Sequence, residues 1–477
     1  MNILFAAAEA NPFIKTGGLA DVIGALPQAL QKEGADVRIV LPFYKSIPAP
    51  IREKSVLLKV IQVQVGWRSQ YCGIMQYIEN GVTVYMIDNE YYFGRDGIYG
   101  YGDDGERFAF FNRAVLDILP VIEFQPDIIH AHDWHTGMVP MLLKAQYRYN
   151  PFYADIHSVF TIHNLLYQGI FPYSVLGDLL GMDDRYFQSE GIEYHGNVSF
   201  MKGGIVFADQ VTTVSPTYAE EIKMPYYGYG LEGLLGSLGD RLHGIVNGID
   251  TKSYNPATDT YLTSNYRSAT AKRTANKLAL QEELGLPIDA KIPMISMVTR
   301  LAESKGLDLV TRVLDELLYY DDVQFVILGT GEQEYEDWFR EALSRHSTKL
   351  AAEIRFSEGV ARRFYAGSDM FLMPSKFEPC GISQLLAMRY GSIPIVRETG
   401  GLNDTVQSYN EFTGEGTGFT FAAYNAHDML FTIRRALSIY NQPKEWKKVV
   451  KNAITGEYSW QVSAQEYLEV YRKASES

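Results

Sequence analysis

An α/β fold made of two doubly wound units is predicted by three features of the sequence. Short apolar runs rich in β-branched residues alternate with helical patterns, the alternation occurs in both halves, and a polar, turn-rich stretch divides them. In the first half the runs are Asn2 to Ala7, Val37 to Leu41, Asp127 to Ala131, Ser158 to Ile162 and Gln210 to Val214. In the second they are Met294 to Val298, Val323 to Leu328, Met370 to Met373 and Ile393 to Val396. Strand–helix alternation of this kind implies parallel sheets with helices on their faces. An extended pair over Leu57 to Ile78 and a strand at Val82 to Ile87 interrupt the first unit and read as an antiparallel addition.

The boundaries follow from composition. Residues 1–246 form the first domain, 247–265 a linker or hinge, 266–457 the second domain, and 458–477 a terminal helix. In that helix Trp460, Val462, Tyr467 and Val470 need a surface to bury, which we assign to the first domain. A chain of 477 residues with 46% hydrophobic and 21% charged residues is an ordinary globular length and composition for more than one domain. Cys72 and Cys380 lie far apart and form no ligand spacing, which points to a reducing, cytoplasmic setting. The opening MNILFAAAEANPF has a short apolar stretch without a basic leader and reads as a buried strand. No run approaches the ~18 apolar residues of a membrane span. A net charge of -14 repels polyanions, so neither membrane nor nucleic acid is expected as a partner.

Five motifs stand at strand ends, where open α/β sheets bind ligands. Lys15-Thr16-Gly17-Gly18-Leu19-Ala20-Asp21 joins the first strand to a helix beginning near Asp21. Its glycines let backbone amides approach a ligand, and Lys15 adds a charge suited to a phosphate or polar sugar; alone it would be a glycine turn with an exposed lysine. His130-Ala131-His132-Asp133-Trp134-His135, with His163-Asn164 after the next strand, concentrates imidazoles that can bind hydroxyls or a metal, or merely cap the strands. Arg300 and Lys305, in TRLAESKG, suit a pyrophosphate, though such pairs are often solvated charge. Glu378, in KFEPCG, sets one carboxylate at a strand end, able to hold sugar hydroxyls or offset charge at an anomeric carbon; its bland role is a helix-start charge. Glu398-Thr399-Gly400-Gly401 repeats the strand–glycine–helix arrangement.

Taken in order, KTGGLADV, HAHDWHTG, TIHNLLYQG, VNGID, TRLAESKG, SKFEPCGISQ and RETGGLNDTV resemble the signature of the bacterial glycogen and starch synthases over nearly the whole chain. The resemblance implies a glycosyltransferase type B architecture, two Rossmann-like domains facing a cleft. It also implies glucose transfer from ADP-glucose to the non-reducing 4-hydroxyl of glycogen or another α-1,4-glucan, with retention. By that carry-over, Lys15, Gly17 and Gly18 meet the donor, while Asp21, Asp133, His163 and Asn164 surround the transferred sugar. Arg300 and Lys305 neutralise the diphosphate. Glu378, Cys380, Gly381, Thr399, Gly400 and Gly401 hold the glucosyl unit and phosphate, and Asn247 with Asp250 lies at the hinge. Two departures from the family are visible. Leu386 occupies the position eight residues after Glu378 where many related retaining transferases carry a second glutamate. Arg355-Phe356-Ser357-Glu358-Gly359, before the FYAGSD helix, stands where a glycine followed by a base-stacking aromatic is common.

The expected mechanism uses one carboxylate, no cofactor and no metal. The diphosphate departs as the acceptor enters on the same face, and charge stabilisation carries the rate. UDP-glucose is the alternative donor. A metal hydrolase is the first rival, because HAHDWH nearly matches H-x-H-x-D-H; Asp133 falls one position short. A dinucleotide oxidoreductase is suggested by Gly329-Thr330-Gly331, but Glu334 stands where the third glycine belongs. A non-catalytic glucan-binding protein rests only on the abundance of Tyr and Phe.

Overall fold

A computed structural model describes residues 1–268 and 271–476. The chain divides into two compact units: Met1–Asn247 together with the segment from Trp460 onward, and Gly248–Ser459.

The first unit contains, in chain order, β1 (Asn2–Ala6), β2 (Asp36–Pro42), β3 (Val56–Val65), β4 (Arg68–Glu79), β5 (Val82–Asp88), β6 (Ile128–His132), β7 (His157–Ile162), β8 (Ile170–Pro172), β9 (Glu193–Tyr194), β10 (Asn197–Ser199), β11 (Gln210–Thr213) and β12 (Leu242–Gly244). Among the described residues the main sheet runs β12-β11-β7-β6-β1-β2-β5-β4-β3, and β8-β10-β9 make a small second sheet. β1 pairs in parallel with both β2 and β6, so the chain leaves the centre in one direction and later returns to build the other side. The crevice between the ends of β1 and β6 is the topological switch point, where ligands of such sheets bind. β5 departs from the expected addition: it pairs in parallel with β2 and lies almost wholly buried, so only β3 and β4 extend the sheet antiparallel.

The terminal helix Trp460–Ser475 packs in the first unit against helix Gly18–Lys32 and strands β6, β7 and β11. Its buried stripe is Trp460, Ala464, Tyr467, Val470, Tyr471 and Ala474, the 3.6-residue period of one helix face. Val462 lies off that stripe and is exposed.

The second unit holds β13 (Met294–Val298), β14 (Gln324–Leu328), β15 (Leu350–Glu353), β16 (Met370–Met373), β17 (Ile393–Arg397) and β18 (Phe419–Phe421). All pair in parallel, in the order β15-β14-β13-β16-β17-β18, which puts the switch point between β13 and β16. Every residue of β14 is buried, as a strand covered on both faces requires. Helix Leu307–Tyr320 buries Leu307, Val310, Leu314 and Leu317 on one side. The polar stretch 247–265 is folded against the second unit beyond Gly248: Ile249 N donates to Tyr458 O at 2.7 Å, and Arg362 donates to both Ser253 O and Asp259. Among the described residues no helix is long and apolar enough to cross a membrane.

Candidate functional site

In the first unit the loop after β1 carries Glu9 and the Lys15–Gly18 turn. Helix Gly18–Lys32 starts at Gly18, three residues before the expected start, because Gly17 in an extended conformation caps it. Asp21 therefore lies in the first turn, and its Oδ1 meets Lys15 Nζ at 2.6 Å. Both side chains are partly exposed, so the pair contributes little stability but offsets the lysine charge. The glycine turn is tethered from below by Glu9, which is buried. Its Oε2 accepts Thr16 N at 2.5 Å, and its Oε1 accepts Thr16 Oγ1 at 2.6 Å and Tyr99 OH at 2.6 Å. Tyr99 in turn stacks on His135, with ring centroids 4.5 Å apart. A carboxylate with three donors thus couples the loop after β1 to the loop after β6.

Asp133, the residue after β6, has φ 57° and ψ 178°, a region that a side chain enters only at a cost of about 1–3 kcal/mol. The surrounding hydrogen bonds compel it. Its backbone N donates to Thr161 O at 2.9 Å, and its Oδ1 accepts His163 N at 2.7 Å and Asn164 N at 3.4 Å. Burial pushes the Asp133 carboxyl up to about 7 against the opposing pull of those two amides. Burial likewise pulls His163 down to about 3, so its ring is neutral at ordinary pH. Asn164 Oδ1 accepts Leu166 N at 3.1 Å and shapes the turn.

The histidines face different partners. His130 uses both nitrogens, on Tyr471 OH at 2.8 Å and Thr161 Oγ1 at 2.5 Å. His132 Nδ1 meets His163 Nε2 at 3.0 Å, whereas His135 lies between Trp134 and Tyr99. The imidazoles are thus dispersed between hydrogen bonds and ring stacking, with both nitrogens of His130 engaged. Among the described residues no cluster of three His, Cys, Asp or Glu side chains is placed to hold a metal ion.

In the second unit the loops after β13, β16 and β17 converge. Lys305 Nζ meets Glu378 Oε2 at 2.6 Å, and Ser375 Oγ donates to the same oxygen at 3.0 Å. Glu378 is buried while Lys305 retains some exposure. Arg300 is exposed and, among the described residues, makes no ion pair. The glycine loop after β17 packs backbone against backbone on the loop after β16: Gly401 N donates to Pro379 O at 3.0 Å. A Cβ on Gly400, whose φ is +44°, would stand 2.0 Å from Glu378 O, and one on Gly401 would stand 2.2 Å from Cys380 O. Only glycine permits this approach, which places Thr399, Gly400 and Gly401 beside Glu378, Cys380 and Gly381. Gln384 Nε2 closes the turn on the carbonyls of Cys380 and Gly381 at 3.1 Å each. Leu386, in helix Ser383–Arg389, is buried in the core of this unit, so no second carboxylate enters there. Gly329 and Gly331 have a packing role as well. A Cβ on Gly329 would lie 1.8 Å from Thr299 O, which explains the glycines without a dinucleotide.

Asn247 is buried at the end of the first unit. Asp250 caps a local turn, its Oδ1 accepting Lys252 N at 2.9 Å and Ser253 N at 3.2 Å.

Sequence reasoning passed over two groups. Glu9 and Tyr99 form the first; a carboxylate three residues beyond β1 was the available signal. The second is a cavity of about 550 Å³ in the first unit, lined by Tyr101, Trp134, Tyr167, Gln168, Phe171 and Tyr194 among others. These aromatics come from four separate segments, so no spacing in the sequence marks them. Gln168 Oε1 is buried there and, among the described residues, has no hydrogen-bond partner.

Residues 2–237 match the starch synthase catalytic domain family, and residues 283–453 match the glycosyl transferases group 1 family. The chain is 56% identical to the glycogen synthase of Anoxybacillus flavithermus over 472 residues, covering 99% of this chain and 97% of that one. It is 54% identical over 477 residues to the glycogen synthase of Bacillus cereus strain Q1, covering all of both. Among solved structures it is similar to the catalytic domain of starch synthase IV from Arabidopsis thaliana bound to ADP and acarbose. The TM-score is 0.92 and the identity 34%, over 100% of this chain and 99% of that one. The chain belongs to the glycogen and starch synthase family, and is a glucosyltransferase of glycogen biosynthesis with the two-domain glycosyltransferase type B fold.

Proposed function

We propose that this glucosyltransferase takes glucose from ADP-glucose and adds it, with retention, to the non-reducing 4-hydroxyl of glycogen or another α-1,4-glucan in the cytoplasm. The carrying observation is the Lys305–Glu378 pair beside the glycine loop at the switch point of the second unit. A cation, a carboxylate and crowded backbone amides suit a sugar diphosphate, with positive charge for the leaving group and a carboxylate for the glucosyl side. The ADP in the starch synthase IV structure supports the adenine nucleotide. Phe356, 84% exposed shortly after β15, offers a flat face to a base.

Lys305 and Arg300 oppose the charge growing on the departing diphosphate, and Glu378 holds Lys305 while facing the charge at the anomeric carbon. Asp133, His163 and Asn164 receive the sugar hydroxyls, with Lys15, Gly17, Gly18 and Asp21 completing the first unit's share. Cys380, Gly381, Thr399, Gly400 and Gly401 supply backbone groups to the glucosyl unit and phosphate. Asn247 provides a buried polar group, its Oδ1 without a partner among the described residues. With Leu386 in place of a second glutamate, the leaving phosphate oxygen takes the acceptor proton and the new bond forms on the face that the diphosphate leaves. The aromatic cavity fits the glucan acceptor, whose pyranose faces stack on rings.

The test is incubation of the purified chain with labelled ADP-glucose or UDP-glucose and glycogen, with and without a chelator. Chelator-resistant incorporation from ADP-glucose, with the α-1,4 linkage in the product, is expected. Faster incorporation from UDP-glucose would overturn the donor, and hydrolysis without transfer would overturn the acceptor.

A further inference from the structure

We propose that His132 is a positioning residue that sets the tautomer of His163, keeping its proton on Nδ1 so that the ring meets substrate as a hydrogen-bond donor. This rests on the reading that His163 touches the transferred sugar.

The argument is an account of protons. His132 Nδ1 and His163 Nε2 are 3.0 Å apart, so one of the two nitrogens carries the hydrogen and the other accepts it. Both rings are neutral, because burial holds each imidazole below its ordinary range and His130 adds to the effect at His132. Two arrangements remain. If His163 Nε2 donates, His132 must carry its single proton on Nε2. That nitrogen is buried, and among the described residues it has no hydrogen-bond partner. The ring that carries it packs on those of Phe5 and His130, with centroids 5.1 and 4.0 Å apart. A donor would be stranded there, the arrangement folded proteins avoid most strongly. If His132 Nδ1 donates instead, Nε2 keeps a lone pair and no hydrogen is stranded. Neighbouring His130 cannot relieve the first arrangement, since both its nitrogens are engaged by Tyr471 and Thr161.

The second arrangement therefore holds. His163 Nε2 accepts, and a neutral His163 has its proton on Nδ1, the nitrogen left for a ligand. A free imidazole has no such constraint, and here it comes from a residue two positions along β6 from His130. His163 then donates to a sugar oxygen rather than accepting from a hydroxyl.

The test is nitrogen NMR of the full chain labelled at histidine, with the His163 signals assigned by their loss in His163→Gln. Expected is a protonated Nδ1 and an unprotonated Nε2; a proton on Nε2 overturns the proposal whatever the kinetics show. Kinetics then separates positioning from packing. His132→Asn places an amide donor near the lost Nδ1 and should keep kcat close to that of the unaltered chain. His132→Phe keeps the ring but removes the donor, and should lower kcat by about tenfold, one hydrogen bond's worth, with nucleotide affinity unchanged. Equal loss in both variants, with His163 still protonated on Nδ1, overturns the positioning role. If His163→Ala keeps full kcat, the substrate role of His163 fails while the tautomer assignment stands on the spectra.

Discussion

The two switch points share a topology and differ in chemistry. In the first unit, the groups at the ends of β6 and β7 are neutral or nearly so: buried imidazoles, a carboxyl raised to about 7, and hydrogen bonds that force Asp133 into a disfavoured backbone conformation. In the second, the loops after β13, β16 and β17 bring a 2.6 Å ion pair against crowded backbone. A neutral polyol and a diphosphate ask for different surroundings. Hydroxyls are read by oriented donors and acceptors, which burial sharpens, whereas phosphates need full charge, which requires a partner and some solvent. On the proposed reading, the same α/β plan serves two ligand chemistries through the residues at its strand ends.

Variants at the second unit should show the largest effects. Glu378→Gln removes the anion and leaves Lys305 without its partner, so kcat should fall by roughly 10²–10³, with a smaller change in ADP affinity. Unchanged kcat would mean that the pair is structural and that the contrast between the units is empty. Lys305→Ala or Arg300→Ala should cost on the order of 2–5 kcal/mol of transition-state stabilisation, measured as kcat/KM for the donor. Lys305 should exceed Arg300, because its loss also strands the buried Glu378. The reverse order would make the exposed Arg300 the principal phosphate contact.

The first unit should respond more mildly and through geometry. Glu9→Ala strands the Thr16 amide and the Tyr99 hydroxyl, and should lower kcat/KM by about 10–100-fold. Glu9→Gln, which can still accept from Thr16 N, should restore most of it. Equal losses would show that the carboxylate's charge, not its acceptor geometry, matters there.

A separate test concerns pH and stability. His130, His132, His135 and His163 all have folded-state pKa values below the usual 6.5, so unfolding takes up protons as pH falls below about 6.5. Each such group removes roughly 1.4 kcal/mol per pH unit while it titrates. Asp133 runs the other way: raised from 3.8 to about 7, it loses stability as pH rises through that interval. Four imidazoles outweigh one carboxyl, so thermal stability should decline from pH 6.5 towards 5. Hydrogen exchange should rise first around residues 128–136, and an equal rise at 374–381 would remove the distinction between the units.

Much of this was legible in the sequence because strands buried on both faces announce themselves. The runs at Met294–Val298 and Met370–Met373 match the observed β13 and β16 end to end. The short strands Leu350–Glu353, Phe419–Phe421 and Leu242–Gly244 were missed, since LAAE, FTF and LHG lack a β-branched run and become strands only by pairing with neighbours.

The sequence by itself determined the alternation, the positions of glycines and charged residues at strand ends, and hence the family, because these depend on local spacing. Tertiary structure alone decided that Glu378 pairs with Lys305 across 73 positions, that Glu9 anchors Thr16 and Tyr99, and that His132 rather than His130 meets His163. Which nitrogen carries a proton or which cation faces a carboxylate depends on distances of a few ångströms between segments remote in the chain. Strand order and burial set those distances, and they leave no periodic trace in the sequence.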